Sequence, residues 1–258
     1  MSRPCLLALA LAFLCSCNSI IKPDARWADD VTGTQLVGVS SGWAFVESDV
    51  TLENGEGPLA DPVLGGNDRG ASTTDLDPVF GIGLKYLYYL SHNWSISGVY
   101  EHRIFDPDST RPLEADVDLD EFGTNHFILG LRYTLNARGR WRPYFAIQLG
   151  YVPEVSADGT VDYGDSFASL GFSDIQEEIS LNGSDFFTLG LVAGASYLLR
   201  DNLSFDASIF YETTLNDTED TLELTPTPGT GILGETTTYD GSLNEEGVYL
   251  AFGLSWYF

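Results

Sequence analysis

Eight stretches of this chain set large apolar side chains on every second residue. The last, VYLAFGLSWYF, carries Val248, Leu250, Phe252, Leu254, Trp256 and Phe258 in one register and Tyr249, Ala251, Gly253, Ser255 and Tyr257 in the other. In FFTLGLVAGASYL, Phe187, Leu189, Leu191, Ala193, Ala195 and Tyr197 alternate with Thr188, Gly190, Val192, Gly194 and Ser196. LSFDASIFY sets Leu203, Phe205, Ala207, Ile209 and Tyr211 against Ser204, Asp206 and Ser208. The pattern recurs in VFGIGLKYLYYL, WSISGVYEHR, HFILGLRYTL and WRPYFAIQLGY, and more weakly in TQLVGVSSGWAF. A period of two sends alternate side chains to opposite faces, so each stretch reads as a strand with two different surroundings.

The links between these strands decide the architecture. SHN, NARGR and LRDN are short, whereas residues 48–77, 106–124, 153–184 and 212–246 form long links, and the two kinds alternate strictly. A water-soluble sandwich has no reason to collect every long link at one end. A transmembrane barrel does, with short turns inside, long loops outside, an even strand number and strands of about ten residues. The predicted fold is therefore all-β, an eight-stranded antiparallel up-and-down transmembrane β-barrel over residues 34–258. Its larger apolar set faces hydrocarbon and its small and polar set faces the lumen. Open sheet edges in lipid would strand backbone N–H and C=O groups without partners, so the eighth strand must pair with the first.

The aromatic residues sort to the strand ends. Tyr86, Tyr88, Trp94, Tyr133, Trp141, Tyr197, Trp256 and Phe258 fall at the short-turn end, and Trp43, Phe45, Phe80, Tyr100, Phe127, Tyr151 and Tyr211 at the long-loop end. Two aromatic belts at two interfaces are what this architecture requires. Nucleic acid is excluded as a partner, because 12 Lys and Arg stand against 38 Asp and Glu for a net charge of -26.

The amino terminus reads as an export signal over residues 1–17. MSRP carries one Arg, CLLALALAFL is apolar, and small residues Cys15, Ser16 and Cys17 follow. Residues 18–33 are then a periplasmic segment. Leu14 to Cys17 resembles a bacterial lipobox, which makes Cys17 a lipidation candidate, with ordinary cleavage after Cys17 as the alternative. No Cys follows Cys17, so the barrel holds no disulfide.

From Thr34 to Phe258 the chain resembles the eight-stranded outer-membrane barrels of Gram-negative bacteria, the OmpA, OmpX and OmpW group of the porin family. WRPYFAIQLGY resembles the fifth-strand segment of OmpW-like barrels, and the terminal alternation ends on an aromatic residue as theirs does. The resemblance implies residence in the outer membrane as a monomer, with outer-membrane lipid and lipopolysaccharide as neighbours. It also implies that Leu250, Phe252, Leu254, Trp256 and Phe258 form the signal read by the barrel-assembly machinery.

Charge is distributed as unevenly as hydropathy. The four long links hold 30 of the 38 acidic residues, opposed only by Arg69 and Arg111, while Arg138, Arg140, Arg142 and Arg200 lie at the short-turn side. The external surface is thus expected to be acidic and hydrated, with Ca2+ or Mg2+ as the one cofactor class it suggests. Asp116, Asp118 and Asp120 in DVDLDE are the candidate cation ligands. That run lacks the sixth-position glycine and twelfth-position glutamate of a helix-loop-helix calcium site, and an extended fourth strand with a wetted acidic face is the competing account.

The lumen is expected to be charged as well, through Lys85, Glu101, Arg103, Arg132, Arg142 and Asp206, with Gln148 among them. With the SHN turn centred on His92, Glu101 falls opposite Gly83 and diagonal to Lys85. Charges in a narrow low-dielectric interior must find partners. A plugging ion-pair network and a selectivity filter are the two readings of this set. Catalysis is not expected: of His92, His102 and His126, the last two approach the outer rim, and neither belongs to a His-x-Ser pattern like that of outer-membrane lipid deacylases. The function classes that remain are a structural or surface-interaction barrel, a narrow OmpW-like conduit for small apolar solutes, and, last, a lipid-modifying enzyme.

Because Phe258 closes the apolar register, its deletion or Phe258→Asp is expected to leave unassembled protein in the periplasm. Heat-modifiable migration of the outer-membrane fraction on a gel measures this, and normal amounts of folded barrel would refute it.

Overall fold

The computed structural model describes residues 32–56, 79–105, 116–135, 139–162, 176–216, 220–226 and 237–257. Along these run β1 (Gln35–Glu56), β2 (Val79–Tyr89), β3 (Trp94–Phe105), β4 (Asp116–Leu119), β5 (Phe122–Thr134) and β6 (Trp141–Val152). They are followed by β7 (Val155–Asp162), β8 (Gln176–Gly183), β9 (Phe186–Arg200), β10 (Leu203–Thr214), β11 (Asp220–Pro226) and β12 (Thr237–Tyr257). The expected export signal, Cys17, most of the expected periplasmic segment and Phe258 lie outside the described residues.

Eight of these strands close into a ring in the order β1-β2-β3-β5-β6-β9-β10-β12, with β12 returning to β1. Every pairing is antiparallel. The closing seam runs from Leu36↔Tyr257 through Gly42↔Ala251 and on to Glu53↔Asp240, so the expected first-to-last pairing holds. A slip of one residue would turn every apolar side chain into the lumen, so the alternation fixes the register.

The faces separate as the sequence requires. Val37, Val39, Ile82, Leu84, Leu129, Leu131, Leu191 and Leu254 are outward and exposed, while Leu36, Leu87, Arg103, Arg132, Ser196 and Ser255 are inward and buried. An apolar exterior of this extent suits lipid and not water. Ring pairs across neighbouring strands mark both ends of that band. Trp94–Tyr133 at 4.9 Å and Trp141–Tyr197 at 6.4 Å lie at the short-turn end. At the other end lie Trp43–Phe80 at 6.1 Å, Tyr100–Phe127 at 5.4 Å and Tyr151–Phe187 at 5.2 Å.

The long links differ from expectation, because they contain strands. β4, β7, β8 and β11 continue the barrel wall outward in the order β12-β11-β8-β7-β4, and β1 and β12 extend beside them. β7 follows β6 after a break at Pro153–Glu154, and β8 leads into β9 through Ser184–Asp185. Six strands therefore stand above the ring, and among the described residues none continues β2 or β3. Beyond the lipid an outward residue need not be apolar, so the large-residue alternation disappears and the sequence pattern of these segments resembles loop. What survives is weaker: in VSADGTVD, Val155 and Ala157 are buried while Ser156 and Asp158 are exposed.

Here the acidic run also departs from the sequence reading. The single extended fourth strand is two strands, with Asp116 and Asp118 on β4 paired to Asp162 and Thr160 of β7. Asp120 sits exposed in the break before β5, its amide donating to the Asp158 carbonyl at 2.8 Å. The side chains of Asp116 and Asp118 lie outside the described set, and with them the candidate cation site.

The seam depends on small inward residues. A Cβ on Gly42 would lie 2.5 Å from the Leu250 carbonyl oxygen, a backbone atom that cannot step aside, whereas one on Gly190 would have no neighbour nearer than 3.5 Å. Gly42→Val is expected to destabilise the folded barrel by about 1–3 kcal/mol. Gly190→Ala should stay within about 0.5 kcal/mol of the parent. Urea unfolding in detergent micelles, followed by tryptophan fluorescence, measures both.

Candidate functional site: the charged lumen

The lumen is filled in layers. At the short-turn end Leu36, Leu87, Tyr89, Leu198 and Tyr257 pack into an apolar cluster. Arg142 is fully buried against it, its Nε donating to the Gly139 carbonyl at 3.0 Å and its guanidinium 5.4 Å from the Tyr257 ring.

Above this layer Asp206 is the hub. Its carboxylate accepts hydrogen bonds from Ser196 and, at 2.8 Å, from Ser255. Lys85 Nζ approaches to 3.5 Å and Arg132 to 3.9 Å. Arg132 also donates to Ser196 at 2.8 Å and lies over the Tyr144 ring at 3.6 Å. The alternation of β10, β9 and β12 points Asp206, Ser196 and Ser255 inward at matching heights, since Asp206 pairs with Ser196 and Ser204 with Ser255.

A second hub sits toward the external end. Arg103, on β3, donates to Glu212 at 2.7 Å, to Glu101 at 3.1 and 3.2 Å and to the Tyr249 hydroxyl at 3.1 Å. Its guanidinium lies 4.4 Å from the Tyr249 ring, which stacks on Phe210 at 4.6 Å. His126 is fully buried beside it, with Nε2 2.8 Å from Thr124 Oγ1 and Nδ1 4.0 Å from Glu212. Between the hubs lies a cavity of about 80 Å³ whose lining includes Ser40, Lys85, Glu101, Gln148 and Ser208. Phe105 and Phe122, both buried and stacked at 5.0 Å, lie at the external ends of β3 and β5.

The six charged residues named from sequence all face this interior, and the structure adds who pairs with whom. Glu101 does fall opposite Gly83, yet its partner is Arg103 two residues along its own strand, and Lys85 reaches Asp206. The reason is geometric: in an eight-stranded ring a long side chain spans the lumen as easily as it reaches a diagonal neighbour. Two members were missed. Glu212 was counted with the acidic loops but is buried, and His126 was placed at the rim but points inward. The signal for both was the same period of two, since Ser204, Asp206, Ser208, Phe210 and Glu212 share a register, as do His126, Ile128, Gly130 and Arg132. His102 faces outward, and Arg140 and Arg200 are exposed at the short-turn end. Leu250, Phe252, Leu254 and Trp256 lie on the outward face of β12.

Comparison with known proteins agrees with this geometry. Residues 25–227 match the family model for the outer membrane protein beta-barrel domain. The chain belongs to that family. Among solved structures it is similar to the outer membrane protein OprG from Pseudomonas aeruginosa, at 16% identity over 88% of this chain and 96% of that one, with a TM-score of 0.56. Weaker likenesses are to Ail of Yersinia pestis (15% identity, 88% and 99% coverage, TM-score 0.37) and the protease OmpT of Escherichia coli (11%, 89% and 98%, 0.43). At these identities the likeness is one of fold. No curated protein sequence matches. The protein is thus a bacterial outer-membrane β-barrel.

Removing one partner of a buried ion pair strands the other, which costs far more than removing both. Arg103→Met, which leaves Glu212 without its cation, is expected to destabilise the barrel by about 3–5 kcal/mol. The double variant Arg103→Met, Glu212→Leu should recover part of that loss in the same unfolding assay, the remainder reflecting Glu101, which also loses its cation.

Proposed function

We propose that this protein is a non-catalytic outer-membrane barrel with a lumen closed to ions, which displays its external strand wall at the cell surface for interaction. The observation that carries this reading is the 2.7 Å bond from Arg103 to Glu212. β3 and β10 stand on opposite sides of the eight-stranded ring, so a direct bond between their side chains crosses the lumen at its full width. The Asp206 hub and the apolar cluster lie in series with it. An eight-stranded barrel has an interior just wide enough for its own side chains.

Three further observations support a non-catalytic reading. Thr124, His126 and Glu212 stand in the order of a nucleophile, a base and an acid. Yet Thr124 and His126 are fully buried, neither lines the cavity between the hubs, and the second oxygen of Glu212 is committed to Arg103. A nucleophile without access for a substrate has no reaction to perform. On this reading the partners are outer-membrane lipid and lipopolysaccharide, with the barrel-assembly machinery engaging the outward residues of β12 during insertion.

The purified barrel in a planar bilayer is expected to show no large steady conductance. Glu101→Ala should lower thermal stability, because it removes one of the two carboxylates on Arg103, with little change in conductance. Robust ion-selective currents in the parent, altered by that substitution, would assign a conduit instead.

A further inference from the structure

Four buried polar atoms at the short-turn end of the lumen have no hydrogen-bond partner among the described residues. They are the Tyr89 hydroxyl on β2, Ser95 Oγ on β3, and Arg132 Nε and Thr134 Oγ1 on β5. Tyr89, Ser95 and Thr134 are fully buried and Arg132 is 3% exposed. The sheet register gathers them: Tyr89 pairs with Ser95, Ser95 pairs with Arg132, and Thr134 follows Arg132 on the same face of β5. Directly paired residues hold their Cβ atoms about 5 Å apart, so three neighbouring strands present these groups to one patch of the lumen. A buried polar atom without a partner is destabilising, and four together mark a place where something other than these side chains is bound.

The four atoms have donor capacity in common. Arg132 Nε can only donate, and a hydroxyl hydrogen turns toward whatever acceptor is present. The other nitrogens of Arg132 are engaged elsewhere, Nη2 donating to Ser196 at 2.8 Å and Nη1 lying 3.9 Å from Asp206. Asp206 cannot serve the patch as well. It already faces Ser196, Ser204 at 3.4 Å, Ser255 at 2.8 Å, Lys85 at 3.5 Å and Arg132, and a carboxylate has about four lone-pair directions.

Charge gives the sign of the ligand. Among the described residues, three guanidinium groups, those of Arg103, Arg132 and Arg142, are buried in the lumen against two buried carboxylates, those of Asp206 and Glu212. Glu212 is bound to Arg103 in the upper hub, where Glu101 adds a second carboxylate. The positive excess therefore falls at the short-turn end, where Lys85, Arg132 and Arg142 surround Asp206. Asp201 does not reach inward to offset it, being exposed in the turn between β9 and β10. Hydrocarbon around the wall screens such an excess poorly. A water molecule would answer the hydroxyls and leave the charge, whereas an anion answers both. In a patch this enclosed, a single-atom anion needs the least space.

We propose that the Tyr89, Ser95, Arg132 and Thr134 patch binds one buried monovalent anion of halide size, with chloride as the ligand, held by Arg132 Nε and the three hydroxyls. The anion is enclosed as the barrel folds, and it joins β2, β3 and β5 at the end of the lumen away from the Arg103 hub. The site goes beyond the closed-lumen reading and does not depend on it, and its test involves no conductance.

The full-length mature barrel is refolded in detergent micelles in sodium chloride or in sodium gluconate of equal ionic strength, and urea unfolding is followed by tryptophan fluorescence. Gluconate is too large for the patch, so the parent is expected to unfold at a higher urea midpoint in chloride, by a margin that grows with chloride concentration as linkage requires. Ser95→Ala and Thr134→Val, which each remove one hydroxyl donor, should weaken the apparent chloride affinity by about tenfold and leave the midpoint in gluconate close to that of the parent. Ser208→Ala, on the wall of the cavity between the hubs, should leave the chloride response unchanged. In crystals grown from bromide, an anomalous peak is expected within hydrogen-bonding distance of Arg132 Nε. Should Thr134→Val fail to fold, Ser95→Ala and the bromide peak decide. Equal midpoints of the parent in chloride and gluconate, an unaltered chloride response in the two hydroxyl variants, or water in place of bromide at the patch would each overturn the proposal.

Discussion

The structure depends first on the absence of water from hydrocarbon. Each backbone N–H and C=O within the lipid must be paired inside the protein, and a sheet meets that demand only by closing. Closure here is the β1–β12 seam, which begins at Leu36↔Tyr257 and runs well past the apolar band to Glu53↔Asp240. Small inward residues make it possible, with Gly38, Gly42, Gly253 and Ser255 letting the two backbones lie side by side without side-chain collision. Closure at eight strands in turn sets the diameter, and the diameter sets everything about the lumen.

An interior so narrow cannot hydrate a charge well, so its ions must satisfy one another. Asp206 gathers Lys85, Arg132 and serine hydroxyls at one height, and Arg103 gathers Glu101, Glu212 and Tyr249 at another. Such pairs do not stabilise a protein relative to a well-packed apolar filling. Their effect is to join distant strands: Arg103 ties β3 to β10 and β12, and Asp206 ties β10 to β2 and β5. A ring held only by neighbour-to-neighbour hydrogen bonds is thereby braced across its width.

Beyond the lipid the same wall continues under different rules. Water can now pair with backbone groups, so the extension has no need to close, and its six strands leave the side above β2 and β3 without a continuing strand among the described residues. Outward residues there are free to be acidic, and in β7 and β8 Ser156, Asp158 and Glu178 are exposed.

Sequence alone determined the strand alternation, the eight-strand count of the ring, the faces of the apolar and small or polar sets and the aromatic belts. All of these follow from a period of two and from the contrast between lipid and lumen, both local properties of the chain. It also placed Glu101 opposite Gly83, because a short turn carries register directly. It did not determine who pairs with whom across the lumen. Glu212 reads as a loop carboxylate, and the contacts of Lys85 with Asp206 and of Arg103 with Glu212 are not legible, because cross-lumen contacts depend on ring diameter and strand stagger, which only closure defines. The external strands escaped for a related reason: once water replaces hydrocarbon the apolar contrast that betrays a strand is gone, and only pairing with a neighbouring strand reveals it.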